Sequence, residues 1–397
     1  MTQPDSWRMT PREKQSSLSL AGIFALRMLG LFVILPVFAI YARELPGGED
    51  ALAVGLALGV YGLTQGLLQI PFGAASDRIG RRPVIAAGLV IFAIGSFSAA
   101  CADSITGVIL GRALQGAGAI SAAVTALISD SVRERVITKA MAMVGASIGL
   151  TFALSLVIAP PLARLWGVPG IFTLTGVLAA VALLVLWKLV PEAPWPHPDE
   201  HPHASWTRIA ADPQLLRLNF SIFALHAALT AMFVVVPTRL TALGLEPSEH
   251  WTAYLPAVLT GFAVMAPVII RSERAGRVAA AVRVTSGCLA AVLVLFALQP
   301  NSVWAAGILL ALFFACFNVL EATLPGLVSR SSPKSGKGLA LGIFNTTQNL
   351  GLFAGGALGG IIARSFGPEA VFLACAFAML SGLASAIGLR EPARSRP

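Results

Sequence analysis

Gly73-Ala-Ala-Ser76-Asp77-Arg78-Ile-Gly80-Arg81-Arg82-Pro83 packs one acid and three arginines into a few residues between two strongly apolar stretches. Charge that dense belongs at a membrane surface, where the side chains reach water and lipid headgroups. A weaker copy, Ser272-Glu273-Arg274-Ala-Gly276-Arg277, follows 196 positions later, about half the chain away. The chain reads as an internally duplicated membrane protein.

Composition agrees with that reading. With 56% hydrophobic and 12% charged residues among 397, and a mean hydropathy of +0.79, the polar surface is too small for a soluble globule. A net charge of +9 would suggest nucleic acid in a soluble protein. Here the basic residues fall in short segments between apolar runs, with no aromatic-interleaved basic stripe, so no nucleic-acid partner is expected. Cys101, Cys288, Cys316 and Cys375 form no close pair, which argues against a disulfide framework or a metal site. The polar first eighteen residues lead straight into a long apolar span, which predicts a retained helix rather than a cleaved signal.

About 20 apolar residues cross a bilayer core, and twelve stretches qualify: 19–42, 51–72, 83–101, 105–129, 139–161, 169–190, 217–241, 249–270, 279–298, 302–327, 338–363 and 368–389. The proline-rich, charged segment 191–216 separates a first half, 1–190, from a second, 217–397. Its His197, His201 and His203 suit a solvated linker better than a weak metal site. Of the 28 Lys and Arg residues, 22 lie in the tails, the linker and the loops on one side. Four (Arg43, Arg164, Arg239 and Arg364) lie on the other, and Arg27 and Arg112 are inside spans. The positive-inside rule then places both termini and the linker in the cytoplasm.

The duplication returns inside the membrane. Ile23-Phe-Ala-Leu-Arg27 in span 1 matches Ile222-Phe-Ala-Leu-His226 in span 7, 199 residues on, and Pro71 matches Pro267 ahead of the two charged stretches. Two parallel six-helix repeats predict an all-α transporter with its substrate site near the midplane between the halves.

Two motifs carry a family resemblance. Gly73-x-x-x-Asp77-Arg78-x-Gly80-Arg81-Arg82 resembles the signature between helices 2 and 3 of the major facilitator superfamily. Arg112-x-x-Gln115-Gly116-x-Gly118-Ala119 resembles the superfamily's helix 4 motif for proton-coupled antiporters. Leu26-Arg27-Met28-Leu29-Gly30, Tyr61-Gly62-Leu63-Thr64-Gln65 and Phe317-Asn318-Val-Leu-Glu321-Ala are similar to the bacterial YajR-type drug/proton antiporters, and the likeness runs from Met9 to Pro392. The resemblance implies the major facilitator fold, with twelve transmembrane helices in two pseudo-symmetric six-helix bundles. Two departures stand out. YajR-type antiporters add a C-terminal soluble domain, whereas only Arg390 to Pro397 follow the last span here. The helix 5 antiporter motif usually ends in Gly-Pro, whereas Gly145 and Gly149 are present here but the end reads Ala159-Pro160-Pro161.

The resemblance also implies roles. Asp77, Arg81 and Asp130 would form a charge cluster that locks the outward-facing state by holding helices 2, 4 and 11 together. The alternative is that these arginines only fix topology. Gly73 is expected to allow close approach of a partner helix, and Gly80 a tight turn. Ionisable residues inside spans are costly and so functional by default. Arg27, His226 and Glu321 lie roughly 12, 14 and 9 Å from the cytoplasmic ends of spans 1, 7 and 10, and Arg112 roughly 10 Å from the opposite end of span 4. Helices 1, 4, 7 and 10 line the cavity in the superfamily, so all four, with Asn318, would face water and substrate. Glu321 is the deepest acid and the first candidate proton carrier, with Arg27 as a neighbouring cation that sets proton release or as its structural partner. His226 is the second candidate, or a neutral histidine bonded to a neighbouring helix. Glycine stripes at Gly351, Gly355 and Gly359, with Gly356 and Gly360, read as close helix packing.

The expected function is proton-driven export of small amphipathic molecules by alternating access, from a monomer in a bacterial inner membrane. The partners are a small-molecule substrate, protons and the bilayer. No nucleotide-binding motif is present, so the proton gradient is the expected energy source and no cofactor is expected. A proton-coupled importer, a narrow metabolite exporter and a non-transporting sensor are the alternatives. An intramembrane enzyme would need a nucleophile and base pairing that the sequence does not offer.

Overall fold

The computed structural model describes residues 9–191, 206–298, 300–333 and 336–391, and they are helical almost throughout. In lipid each backbone N–H and C=O must be satisfied within its own segment, which makes helices of the long apolar runs. In the first half α1 is Pro11–Phe32, continued as Leu35–Tyr41; α2 is Ala51–Ile79; α3 is Arg81–Ala100; and α4 is Ile105–Ala117, continued as Ser121–Ser131. One run, Glu134–Lys188, holds α5 and α6. It breaks at Gly167, whose φ of 66° and ψ of 175° are not helical, giving α5 over 134–166 and α6 over 168–188. The second half holds α7 (Pro213–Ala242), α8 (Trp251–Ala275), α9 (Val278–Ala297), α10 (Val303–Ser331), α11 (Lys337–Phe366) and α12 (Pro368–Ala386). A short helix, Trp206–Ala210, precedes α7. The segment 192–205, with His197, His201 and His203, lies outside the described residues.

Among the described residues ten helices are, by length and composition, apolar enough to cross a membrane. The α5–α6 run counts once there, and the amides and glycines of α11, with Asn345-Thr346-Thr347-Gln348-Asn349 at their head, leave it too polar to count. Twelve helices nonetheless form the two bundles. The repeat is visible in the caps: Ser104 and Ser302, 198 positions apart, each accept the amide of the residue three ahead at the start of α4 and α10.

Three boundaries differ from expectation. The charged stretch is not a loop, because α2 continues to Ile79 and only Gly80, with φ 99°, separates it from α3. Asp77 therefore belongs to the last turn of α2. Span 1 is interrupted at Val33 and Ile34, where Pro36 withholds an amide from the helix. Span 4 is interrupted at residues 118–120, inside the motif that carries Gly116 and Gly118.

The chain starts α1, turns from α2 to α3 and leaves α4, α6 and α10 on one face, called the basic face below. The two halves meet mainly on the opposite side. Asp50 there accepts from Arg364 at 3.0 Å across the halves. One hydrophobic core runs through Val33–Leu45 of α1, Phe152–Ala159 of α5 and most of the second half. A separate core, with Leu20, Ile85, Leu127 and Leu186, belongs to the first half and lies toward the basic face.

The longest contact between halves is α2 against α11. Gly59 approaches Phe353 so closely that an added Cβ would lie 2.9 Å from its carbonyl oxygen, and a Cβ on Gly356 would lie 3.0 Å from the Gly59 Cα. Toward the basic face the helices separate, since a Cβ at Gly73 would meet only Ala122 at 3.5 Å and one at Gly342 would meet nothing. The helix that Gly73 faces in this state is α4, through Ala122, and α2 and α11 are parted on the basic face. Gly356→Val should lower thermal stability by about 1–3 kcal/mol through overpacking and depress transport, while Gly307→Val, in open space, should resemble the parent. Equal melting points for the two variants in detergent would show that backbone contact is dispensable.

Candidate functional site

His226 of α7, Glu321 of α10 and Gln348 of α11 converge from three helices of the second half. His226 Nδ1 lies 3.3 Å from the Ile222 carbonyl of its own helix. Donation there fixes the tautomer and leaves Nε2 as an acceptor, which takes a hydrogen from the Gln348 amide at 2.7 Å. The same amide donates to Glu321 Oε1 at 3.2 Å. Glu321 Oε2 stands 3.6 Å from His226 Nε2 and has no hydrogen bond of its own. His226 is 6% exposed and the Glu321 side chain 36%, but Glu321 Oε2, which faces His226, is itself buried, so the carboxylate lies at the edge of the group with one oxygen turned inward.

An aromatic wall closes the group on the side away from the basic face. Phe317 lies 5.7 Å from the His226 ring and stacks on Phe313 at 6.1 Å. Phe152 of α5 reaches across to Phe314 and Phe317 at 5.8 and 6.1 Å, and Phe32 of α1 backs it at 5.0 Å. Asn318 is buried against Gly261 of α8, and its Nδ2 has no hydrogen-bond partner.

Arg27 and Arg112 do not join this group. They are 0% and 1% exposed and sealed inside the first half, so the expectation that all four ionisable residues face the cavity is corrected. Arg27 donates to Gln65 Oε1 at 2.8 Å, Ser121 Oγ at 3.3 Å and the Gly118 carbonyl at 3.2 Å. That carbonyl accepts the Ile120 amide at 2.9 Å instead of a helical partner four residues on, because α4 is broken there, and it is turned so that Arg27 reaches it as well; lipid tolerates such irregular backbone only inside protein. Arg112 donates to Gln115 at 2.9 Å and to the Ala57 and Leu58 carbonyls of α2, while Gln115 is held by Ser96 at 2.8 Å. The Tyr61 ring lies between the two cations, 5.8 Å from Arg27 and 5.1 Å from Arg112. Among the described residues neither arginine has a carboxylate partner; neutral oxygens and an aromatic face replace it. The pairing of Glu321 with Arg27 considered from sequence is therefore not made, and His226 and Gln348 take that place.

At the basic face Arg81 donates to Asp77, to Asp130 Oδ2 at 3.1 Å and to Ser76 Oγ at 2.8 Å. The three expected residues of the charge cluster thus meet, but entirely within the first half. The Asp77 side chain is 64% exposed, and no contact with α11 joins it among the described residues. In the second half Glu273 accepts from Arg330 at 2.9 and 3.0 Å. The signs are exchanged there, with the acid in the charged stretch after Pro267 and the arginine at the end of α10. Glu13 caps α1 by a box with Thr10 and also binds Arg133 at 2.8 and 3.0 Å, tying the start of α1 to that of α5.

Sequence reasoning missed Gln348 and underused Gln65. Both were visible as amides in otherwise apolar helices, where a long polar side chain is costly unless paired.

Two six-helix halves parted on one face, with ionisable side chains inside their membrane-spanning helices, have the architecture of a membrane transporter. The chain belongs to the Major Facilitator Superfamily, whose model matches residues 20–356 and again 318–397. It is 41% identical to the inner membrane transport protein YajR of Escherichia coli (strain K12) over 98% of this chain and 86% of that one. The multidrug resistance protein D of the same strain shares 38% identity over 101 residues, 25% of each chain. Among solved structures, a bacterial homolog of the human lysosomal transporter Spinster, in an inward-facing and occupied conformation, superposes with a TM-score of 0.74. That match covers 95% of this chain and 97% of the other at 14% identity, and it shows the fold.

Proposed function

We propose that this transporter exports small amphipathic molecules in exchange for protons, acting as a monomer in a bacterial inner membrane with its basic face toward the cytoplasm. The observation that carries the proposal is the Glu321 carboxylate, on a partly exposed side chain inside a membrane span, with His226 and Gln348 as its neighbours. In the observed arrangement His226 accepts from Gln348, which belongs to α11, the helix packed along α2 of the other half. Once protonated at Nε2, His226 must donate instead, and Glu321 Oε2 is the available acceptor. A proton would thereby exchange a bond to α11 for a bond to α10, biasing the interface between halves. The buried Phe152, Phe313, Phe314 and Phe317 cluster beside His226 gives this part of the molecule apolar surroundings with few converging polar groups, which supports amphipathic substrates over sugars. The similarity to an E. coli inner membrane transporter and, locally, to a multidrug resistance protein supports the direction and the location.

The test uses the purified chain in liposomes with an imposed proton gradient. Substrate movement opposite to the proton supports the exchange, and movement with it would replace export by symport.

Orientation has its own test. With 22 basic residues on one side against four on the other, a periplasmic alkaline-phosphatase fusion after Pro397 should be inactive and one at Gly47 active. The reverse pattern would turn the protein over in the membrane.

A further inference from the structure

On the face opposite the basic one, a cavity of about 250 Å³ opens where the halves touch. The first half contributes Arg43, just past the end of α1, and the second half contributes Arg239 of α7, Phe296 and Pro300 near the end of α9, and Glu369 and Phe372 of α12. The transport reading uses none of them. Arg239 donates Nη2 to the Pro300 carbonyl at 2.9 Å, and its buried Nε has no partner. Arg43 is exposed and makes no hydrogen bond or ion pair among the described residues. Glu369 is the one acid in the lining, but it sits in the first turn of its own helix, where the helix dipole already offsets its charge. Its Oε2 folds back over Gly367, 3.0 Å from where a Cβ there would stand. The apolar wall is the stacked pair Phe296 and Phe372, with ring centres 5.1 Å apart and planes at 13°.

Two guanidiniums against a single acid, beside a stacked aromatic wall, match an anionic head carrying an apolar chain. We propose that this cavity binds the phosphate or carboxylate head of an anionic amphiphile between Arg43 and Arg239, with the start of its chain on Phe296 and Phe372. Because Arg43 belongs to one half and the remaining residues to the other, the ligand bridges the halves on the side where Asp50 and Arg364 already pair. Binding therefore favours the state closed on this face, and it makes the site a control point separate from the substrate path.

The experiment follows thermal unfolding of the full chain in neutral detergent with decyl phosphate, decanoate, dihexanoyl phosphatidylglycerol, decanol or inorganic phosphate. The first three should raise the melting point, and decanol and inorganic phosphate should not. Response to the phospholipid alone would identify a membrane lipid as the source, and response to all three would identify soluble amphiphiles as well. Arg43→Gln and Arg239→Gln should each weaken apparent affinity about tenfold, and Glu369→Gln should preserve or tighten it. Arg43 is exposed, so its variant tests the site even if the Arg239 variant folds poorly. Absence of any shift, an equal shift from decanol, or an unchanged shift in Arg43→Gln would overturn the proposal.

Discussion

Glu321→Gln should abolish proton-driven flux while leaving substrate binding within about threefold of the parent. The amide is nearly isosteric and still accepts from Gln348 through its oxygen, but it neither binds nor releases a proton at working pH. It also removes the acceptor that a protonated His226 needs, so the partner exchange between α11 and α10 has nowhere to go. Flux should fall to the leak of empty liposomes, a loss on the order of a hundredfold or more. Ligand binding and gradient-driven flux on one preparation, from about pH 5 to 8, separate coupling from recognition. Full coupled flux in Glu321→Gln would move the proton site, with His226 the next residue to replace. Because Arg27 is held by Gln65, Ser121 and the Gly118 carbonyl, Arg27→Lys should act through stability of the first half and leave the pH profile of flux unmoved.

Arg81→Ala and Asp77→Asn should each reduce transport severely while expression and insertion stay near normal. Arg81 joins α2, α3 and α4 through Asp77 and Asp130, and the Asp77 contact, with a carboxylate 64% exposed, is heavily screened. The larger consequence lies in the other conformation. The start of α11 has no side-chain cap among the described residues, since Gly336 occupies its N-cap, and a helix start carries a partial positive charge. In the latch reading, closing the basic face would bring the Asp77 carboxylate, held by Arg81, against that terminus. An acid at a helix N-terminus contributes about 1 kcal/mol, up to about 2 when partly buried, which shifts a two-state population roughly 5- to 30-fold. Alkylation of Gly342→Cys, in a background without the four native cysteines, reads that population, because the space around Gly342 is open in the observed state. Faster labelling in Asp77→Asn and Arg81→Ala is expected. Parental flux and labelling in both would leave the cluster with a topological role alone.

The sequence by itself determined the class of molecule, the count of helices and the repeat. Apolar runs of bilayer length, the charged stretch at Asp77 to Arg82 and its copy at Glu273 to Arg277 are local patterns, and local patterns survive without knowledge of packing. The meeting of Arg81 with Asp77 and Asp130 was legible for a similar reason: one pair lies four residues apart across the turn at Gly80, and the other was implied by the family resemblance. Partner choice deep in the membrane was not legible. Whether Arg27 faces the cavity or the core of its own bundle depends on the rotation of α1 about its axis, and each residue turns that axis by about 100°. A soluble helix reveals its rotation by its polar stripe, but lipid makes the outer face as apolar as the core, and that signal is erased. Tertiary structure alone therefore sealed Arg27 and Arg112 around Tyr61 and brought Gln348 to His226 and Glu321 across 122 and 27 positions. It also opened α2 from α11 at Gly73 while pressing them together at Gly59, because how far two helices part is decided by the rigid-body placement of the halves.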